Sequence, residues 1–205
     1  YNIPVIEDSA ESLGSTYRQQ HTGTFGLVGV FSYNGNKTIT TGGGGMIITN
    51  NEELAAKARH LSTTAKISHR WEFSHDEIGY NYRLNNVSAS IGVAQMEKLE
   101  EYLVSKRQTS EAYSTFCKSH SIEFFQGLAE GQANNWLNAI IMKNRSERDA
   151  FLIATNDNGV MTRPLWKLMH KLDIYMHCQH DGLENSLFLE DRIVNVPSGV
   201  RRLNS

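Results

Sequence analysis

The stretch from Ser32 to Asn50, SYNGNKTITTGGGGMIITN, carries one lysine, Lys37, followed by four consecutive glycines, Gly42 to Gly45. It joins two apolar runs, LVGVFSYN (Leu27 to Asn34) and GMIITN (Gly45 to Asn50), that read as strands. A glycine run beside a lysine suggests either a phosphate cradle or a bend next to a reactive amine. The nucleotide cradle needs Gly, four residues and then Gly-Lys-Ser/Thr, so that backbone amides wrap the phosphates before the lysine reaches them. Here Asn36 separates Gly35 from Lys37, and the glycines follow the lysine. The dinucleotide fingerprint fails as well, because Gly42 to Gly45 leads into a strand and not a helix.

Upstream, IPVIEDSAESLG is an apolar run that ends in acidic and small residues, with Asp8 at the carboxyl end of a strand. Ile3 to Ile6 reads as a buried strand, and a chain that opens on Tyr1 so close to it is expected to be a fragment. Downstream, Asn50 or Asn51 caps a helix, NEELAAKARHLS, with acids in its first turn and bases in its last. Ser62 to Tyr82 is polar and aromatic without a clear period, and long connections of that kind are often functional. From Asn86 to about Phe116, Val87, Ile91, Ala94, Gln95, Leu99, Tyr102 and Leu103 fall on one side of a helix. One long or kinked helix, about 86–116, therefore links two domains, 1–100 and 101–205. Beyond it, SIEFF, NNWLNAIIMK and RIVNVP read as strands, and SERDAFLIATNDNG as a helix stopped by Asn158-Gly159. Gly127 to Gln132 reads as a surface loop. Strands alternating with helices argue an α/β architecture.

Composition narrows the function classes. The chain has 205 residues, 40% of them hydrophobic and 20% charged, with a net charge of −2, the balance of a soluble globular protein. That balance gives no nucleic-acid footprint and no polybasic membrane face. No apolar run approaches the ~20 residues of a membrane-spanning helix, and no signal-peptide pattern opens the chain. Two cysteines, Cys117 and Cys178, read as reduced thiols of a cytoplasmic protein. The sequons at Asn36, Asn86 and Asn144 read as chance matches. HCQH (His177 to His180), with His170 nearby, fits no zinc spacing, so no metal is expected.

If Lys37 is a covalent catalyst that holds pyridoxal phosphate as a Schiff base, the site needs an acid facing the pyridine nitrogen, so that the ring can act as an electron sink. It also needs hydroxyl or amide donors for the phosphate. Asp8 and Ser32 stand at strand carboxyl ends, where open α/β sheets place their ligands. The glycines, lacking Cβ, then let the chain turn close to a bulky group. Taken singly, a strand-end Asp is usually a cap and a lysine near a turn is usually solvated; the argument lies in their joint order.

At this point VIEDSAESLGS, GVFSYNGNKTITTGGGGMIITNNEELAAKARHL and HDEIGYNYRLNNVSASIGVAQMEKLEEY resemble the DegT/StrS-type sugar aminotransferases, pyridoxal-phosphate enzymes of the aspartate-aminotransferase fold. The match runs from about Val5 to Tyr113, with three motifs in order. NNWLNAIIMKNRSERDAFLIATNDNGVMTRPLW and LEDRIVNVPSG resemble the LegC-like subgroup. The resemblance implies fold type I: part of a large mixed-sheet domain plus a small C-terminal α+β domain. It implies transfer of an amino group, with glutamate as donor, to a nucleotide-linked 4-keto-6-deoxy sugar for bacterial cell-surface amino sugars. By position, Lys37 matches the Schiff-base lysine, Asp8 the pyridine partner and Ser32 a phosphate ligand. Asn81, in GYNYR, matches the asparagine that reaches the phosphate held by the neighbouring subunit, which implies a homodimer. Glu11 stands where many members carry glutamine near the cofactor ring. A dehydratase branch has histidine in place of the lysine, so Lys37 favours transamination.

Two further groups are candidates for the sugar nucleotide. His69, Arg70 and Trp71 offer cations and a stacking surface suited to a diphosphate and a base, and Arg163 with Trp166, in TRPLW, is a similar pair. His75 and Arg83 flank the Asn81 motif as orienting or subunit-contact residues, and Tyr80 and Tyr82 read as packing or subunit-contact residues. The family resemblance also implies an upstream segment nearly as long as this chain. The alternative is thus a catalytically incomplete fragment that serves only in binding or dimerisation.

Overall fold

A computed structural model describes residues 1–201. Two compact units emerge, Tyr1–Leu103 with Leu128–Asn134, and Val104–Gly127 with the chain from Asn135 onward.

The first unit is built on a mixed sheet. β1 (Ile6–Asp8) runs parallel to β4 (Val28–Ser32), with Asp8 opposite Val30, and β4 pairs antiparallel with β5 (Gly45–Ile48), with Ser32 opposite Gly45. Along β4 the buried positions alternate, and Phe31, Tyr33 and Ile39 form a core with Leu13, Ile48, Leu99 and Tyr102 against it. Gly29 lies in that alternation because a Cβ there would sit 2.1 Å from the Gly23 carbonyl oxygen. The loop at Gly23 is in turn fastened to β1. The Glu7 carboxylate accepts from the amides of Gly23 (2.7 Å), Phe25 (2.5 Å) and Gly26 (2.5 Å). Burial pushes the Glu7 carboxyl up, and the three amide donors outweigh it, so the group ends below its ordinary value.

Ile3 to Ile6 does not form a buried strand. The strand begins at Ile6, and Ile3, Val5 and Ile6 are exposed, because among the described residues β1 pairs with β4 alone. A hairpin, β2 (Thr16–Tyr17) and β3 (Gln20–His21), turns through Arg18 and Gln19 at φ +48° and +68°; β2 also pairs with β7 (Gly131–Gln132), so that part of the expected loop is a strand.

α1 (Glu52–Ser62) is capped by Asn51, whose side chain accepts from Leu54 N at 2.9 Å. The helical stretch expected at 86–116 is two helices, α2 (Asn86–Glu97) and α3 (Leu99–Ser119), interrupted at Lys98. α2 faces the Lys37 turn region through Gly92, where a Cβ would lie 2.9 Å from the Thr41 methyl, and through Gln95, which accepts from Thr40 N at 3.4 Å.

In the second unit, β6 (Glu123–Phe124), β8 (Asn138–Ile141), β10 (Ile193–Val196) and β9 (Arg163–Pro164) form an antiparallel sheet in that order. α4 (Arg145–Asp157), capped by Asn144, and the C-terminal part of α3 supply Phe151, Leu152, Tyr113 and Cys117 to a core around Ile140, Val194 and Val196. Lys106, buried on α3, donates to the Ser198 carbonyl at 2.7 Å, and its desolvated ammonium is pushed below its ordinary value. A short helix, α5 (Glu184–Glu190), precedes β10.

Candidate active site

Lys37 sits in the turn that follows β4, its amide donating to the Asn34 carbonyl at 3.1 Å. Its side chain is only 12% exposed, and its ammonium donates to the Glu11 carboxylate, which is 50% exposed. Glu11 lies on the segment that follows β1, and Lys37 on the one that follows β4. Parallel neighbours deliver both segments to the same end of the sheet, so the ion pair follows from the topology. Asp8 ends β1 and accepts from Ala10 N at 3.2 Å with one oxygen. Ser32 ends β4, its hydroxyl accepting from Asn34 N at 3.3 Å. An amine withdrawn from solvent, two carboxylates and a hydroxyl thus share one sheet end.

A residue that sequence reasoning missed holds this arrangement. Asn134, 6% exposed, donates through its side-chain nitrogen to the carbonyls of Glu11 (2.7 Å) and Leu13 (2.9 Å) and to the Thr38 hydroxyl (3.3 Å). Its own amide donates to the Ser15 hydroxyl at 3.0 Å. One carboxamide therefore ties the segment of Glu11 to the residue next to Lys37. The partners lie 96 to 123 positions away in sequence, so no local pattern marks Asn134.

The expected loop from Ser62 to Tyr82 folds back on itself and bonds to the end of α1, forming a clamp. Tyr80 N donates to the Leu61 carbonyl (2.7 Å), Tyr82 N to Ser62 (3.0 Å) and Asp76 N to Ala65 (3.3 Å). His75 donates from Nδ1 to the Thr64 carbonyl at 2.7 Å, so it anchors this segment. His60 donates from Nε2 to Asp76 at 2.6 Å, and this hydrogen bond lowers the Asp76 carboxyl. Glu77 takes the Lys57 ammonium on both oxygens. His60, Asp76 and Glu77 have metal-ligand spacing, but the Lys57 ammonium already supplies the positive charge there.

The clamp presents Asn81 and Arg83 to a cavity that they share with Gly42 to Gly45; Lys37 is not in its lining. Gly42 and Gly43 face open space, whereas Gly44 is required by Leu84, which would lie 2.9 Å from a Cβ there. The four glycines therefore shape this cavity, and the sequence expectation that they give clearance beside Lys37 finds no support in the lining. At the tip of the clamped segment, His69 and Trp71 meet edge to face at 5.2 Å and Arg70 lies 5.6 Å from the Trp71 ring centre. Tyr80 and Tyr82 stack at 5.0 Å on its exposed side. In the second unit Arg163 donates to Asn156 and to the Thr162 carbonyl, and the exposed Trp166 stacks on Trp136 at 6.3 Å. His170 and His180 lie 5.1 Å apart, without a third ligand at metal-binding distance among the described residues. No helix among the described residues is long and apolar enough to cross a membrane.

A family model described as the DegT/DnrJ/EryC1/StrS aminotransferase family matches residues 1–202. The chain is 36% identical over 199 residues to a GDP-perosamine synthase of Escherichia coli O157:H7, covering 96% of this chain and 53% of that protein. It is 36% identical over 122 residues to a UDP-4-amino-4,6-dideoxy-N-acetyl-beta-L-altrosamine transaminase of Campylobacter jejuni, covering 58% of this chain and 32% of that protein. The crystal structure of the aminotransferase TlmJ from Streptoalloteichus hindustanus superimposes with a TM-score of 0.89 at 28% identity, over 96% of this chain and 53% of that one. The chain spans about half the length of the curated relatives it matches, 45% to 54% for the first three.

Proposed function

Because the chain belongs to the DegT/DnrJ/EryC1/StrS aminotransferase family, whose members use pyridoxal phosphate, we propose that it carries the lysine-bearing part of a transaminase site. The reaction moves an amino group from an amino acid, with glutamate as the donor, to a nucleotide-linked 4-keto-6-deoxy sugar, in a cytoplasmic homodimer. The observation that carries the proposal is the solvent-withdrawn Lys37 amine, paired with Glu11 at the sheet end where Asp8 and Ser32 terminate adjacent parallel strands. These side chains fit pyridoxal phosphate chemically: a nucleophilic amine, a carboxylate for a ring nitrogen and a hydroxyl for a phosphate.

Pyridoxal phosphate, which Lys37, Asp8 and Ser32 would hold, would supply an electron sink for proton removal at the donor carbon. The chain's own residues do the rest. Lys37, as a free amine, takes the proton from the donor carbon and later returns one, acting in turn as general base and general acid. Asp8 would meet the ring nitrogen and favour its protonated form. Ser32 donates its hydroxyl hydrogen to a phosphate oxygen. Glu11 holds Lys37 as an ion pair until the amine is needed. Asn81 would offer its carboxamide to the phosphate held by a neighbouring copy. Names of the relatives, a GDP-perosamine synthase and a UDP-linked transaminase, support the sugar-nucleotide class of acceptor. His69, Arg70 and Trp71, and Arg163 with Trp166, are the residues proposed to meet its diphosphate and base.

The test is turnover. With pyridoxal phosphate, glutamate and a panel of nucleotide-linked 4-keto-6-deoxy sugars, mass spectrometry is expected to detect an amino sugar with at least one acceptor, and none with Lys37→Ala. Absence of amino sugar across the panel would overturn the proposal and leave binding or dimerisation as the chain's role.

A further inference from the structure

The last turn of α4 and the start of β9 are joined through one exposed side chain, Asn156. α4 stops at Asn158, Gly159 has φ of +76°, and Val160 N donates to the Thr155 carbonyl at 2.8 Å, so the chain folds back along the helix end. Thr162, 2% exposed, then meets Thr155 hydroxyl to hydroxyl at 2.6 Å. The Asn156 side-chain nitrogen donates to the Leu152 carbonyl (2.8 Å), the Thr162 carbonyl (3.2 Å) and the Thr162 hydroxyl (3.0 Å). Carbonyl acceptors on that side fix the nitrogen there, so the carboxamide oxygen faces the other way. It accepts from Nη1 of Arg163 at 3.0 Å.

Arg163 is thereby ordered at the surface without being neutralised. Its Nη1 also donates to the Thr162 carbonyl at 2.9 Å, so the hydrogens of that nitrogen are spent inside the protein. Nε and Nη2 make no hydrogen bond or ion pair with the described residues. The guanidinium is planar, and its Nε–Nη2 edge carries parallel N–H groups at the spacing that meets two oxygens of one phosphate. The side chain that holds Nη1 is an asparagine and not an aspartate, so the positive charge stays available to a ligand. Beneath it the backbone is fixed as well, with Arg163 opposite Asn195 and Pro164 opposite Val194 in the sheet.

We propose that Asn156 is a positioning residue for the acceptor: by holding Nη1 of Arg163 it turns the Nε–Nη2 edge outward as a preset grip for the diphosphate of a sugar nucleotide. The proposal rests on the sugar-nucleotide reading of Arg163 and adds to it the edge that binds and the residue that sets it. An unrestrained arginine loses rotamer freedom when it binds, and Asn156 lessens that loss by ordering the side chain beforehand. The diphosphate is common to nucleotide-linked sugars whatever their base, so this grip serves the whole class.

The test is calorimetric titration of the chain with UDP and GDP, and with uridine and guanosine, which lack the diphosphate. Arg163→Gln is expected to weaken UDP or GDP at least about tenfold, the scale of a lost charge-assisted hydrogen bond. Asn156→Ala is expected to weaken the same ligand about threefold to tenfold, and neither variant should change nucleoside binding. Arg163→Lys keeps the charge without the edge and falls between. The double variant separates positioning from structure: if Asn156 acts through Arg163, Asn156→Ala adds no further loss once Arg163 is glutamine. The proposal is overturned if neither diphosphate binds, if either single variant binds as the unaltered chain does, if nucleosides weaken equally, or if the losses add in the double variant. Binding is read without cofactor or turnover, so the failures are distinct. Amino-sugar formation with unaltered UDP and GDP binding in Arg163→Gln sinks this proposal alone. The full set of binding effects without amino-sugar formation sinks the transaminase reading alone.

Discussion

The Lys37 ammonium donates to the Glu11 carboxylate across 26 positions of sequence, and the carboxamide of Asn134 bonds to the backbone of one segment and the neighbouring Thr38 of the other. The amine proposed as the nucleophile is therefore held as half of an ion pair. With Glu11 half-exposed, such a pair is worth about 0.2–1 kcal/mol. Glu11→Gln removes the charge while keeping the shape. The rate at which Lys37 captures pyridoxal phosphate, read by borohydride trapping and mass spectrometry, is expected to rise about two- to fivefold. A slower capture would mean that Glu11 assists the amine and does not restrain it.

Asn134→Ala leaves the Thr38 hydroxyl and the Glu11 and Leu13 carbonyls without this donor. Urea denaturation is expected to show a loss of about 1–3 kcal/mol, the cost of stranding buried polar groups, together with slower trapping at Lys37. Full stability in the variant would show that other groups, or water, take over the bonds.

Glu7 ties the Gly23–Gly26 loop to β1, and its pKa direction fixes a pH signature. The folded value lies below the ordinary 4.5, so the stabilisation is present above that value and is lost as pH falls through the lowered one. Glu7→Gln is expected to lose about 1–2 kcal/mol at pH 7, and the two proteins should converge in urea titrations as the pH drops below 4.5. A difference independent of pH would point to shape and not charge.

Gly79 lies under Ala65 and Thr64, where a Cβ would be 2.4 Å from the Ala65 nitrogen and 2.5 Å from the Thr64 carbonyl carbon. Gly79→Ala must push the clamped segment outward, with an expected loss of about 1–3 kcal/mol and displaced resonances for Asn81 and Arg83. Gly43→Ala, where nothing lies within 4 Å, is the control and should change stability by less than about 0.5 kcal/mol.

These residues also show which parts of the molecule are legible in its sequence. Lys37, Ser32 and Asp8 stand out because their order along the chain repeats the order of strand ends in space. The α1 start is legible because the Asn51 side chain and the acids of the first turn act within one turn of backbone. Asn134 and Glu7 are silent, because their partners are backbone groups of distant or aperiodic segments. Residues 62–82 read as a loop since their bonds run within the segment and to the end of α1, in no repeating spacing. The apolar Ile3–Ile6 run misleads because apolar character marks a strand without saying what covers it.

The most direct measurement of the central claim is covalent. The chain is equilibrated with pyridoxal phosphate, reduced with borohydride, digested and mapped. One pyridoxyl group on the peptide containing Lys37, absent in Lys37→Ala, is the expected result. A Lys37 peptide left unmodified, whether other lysines are labelled or none are, would contradict the assignment of Lys37 as the cofactor lysine.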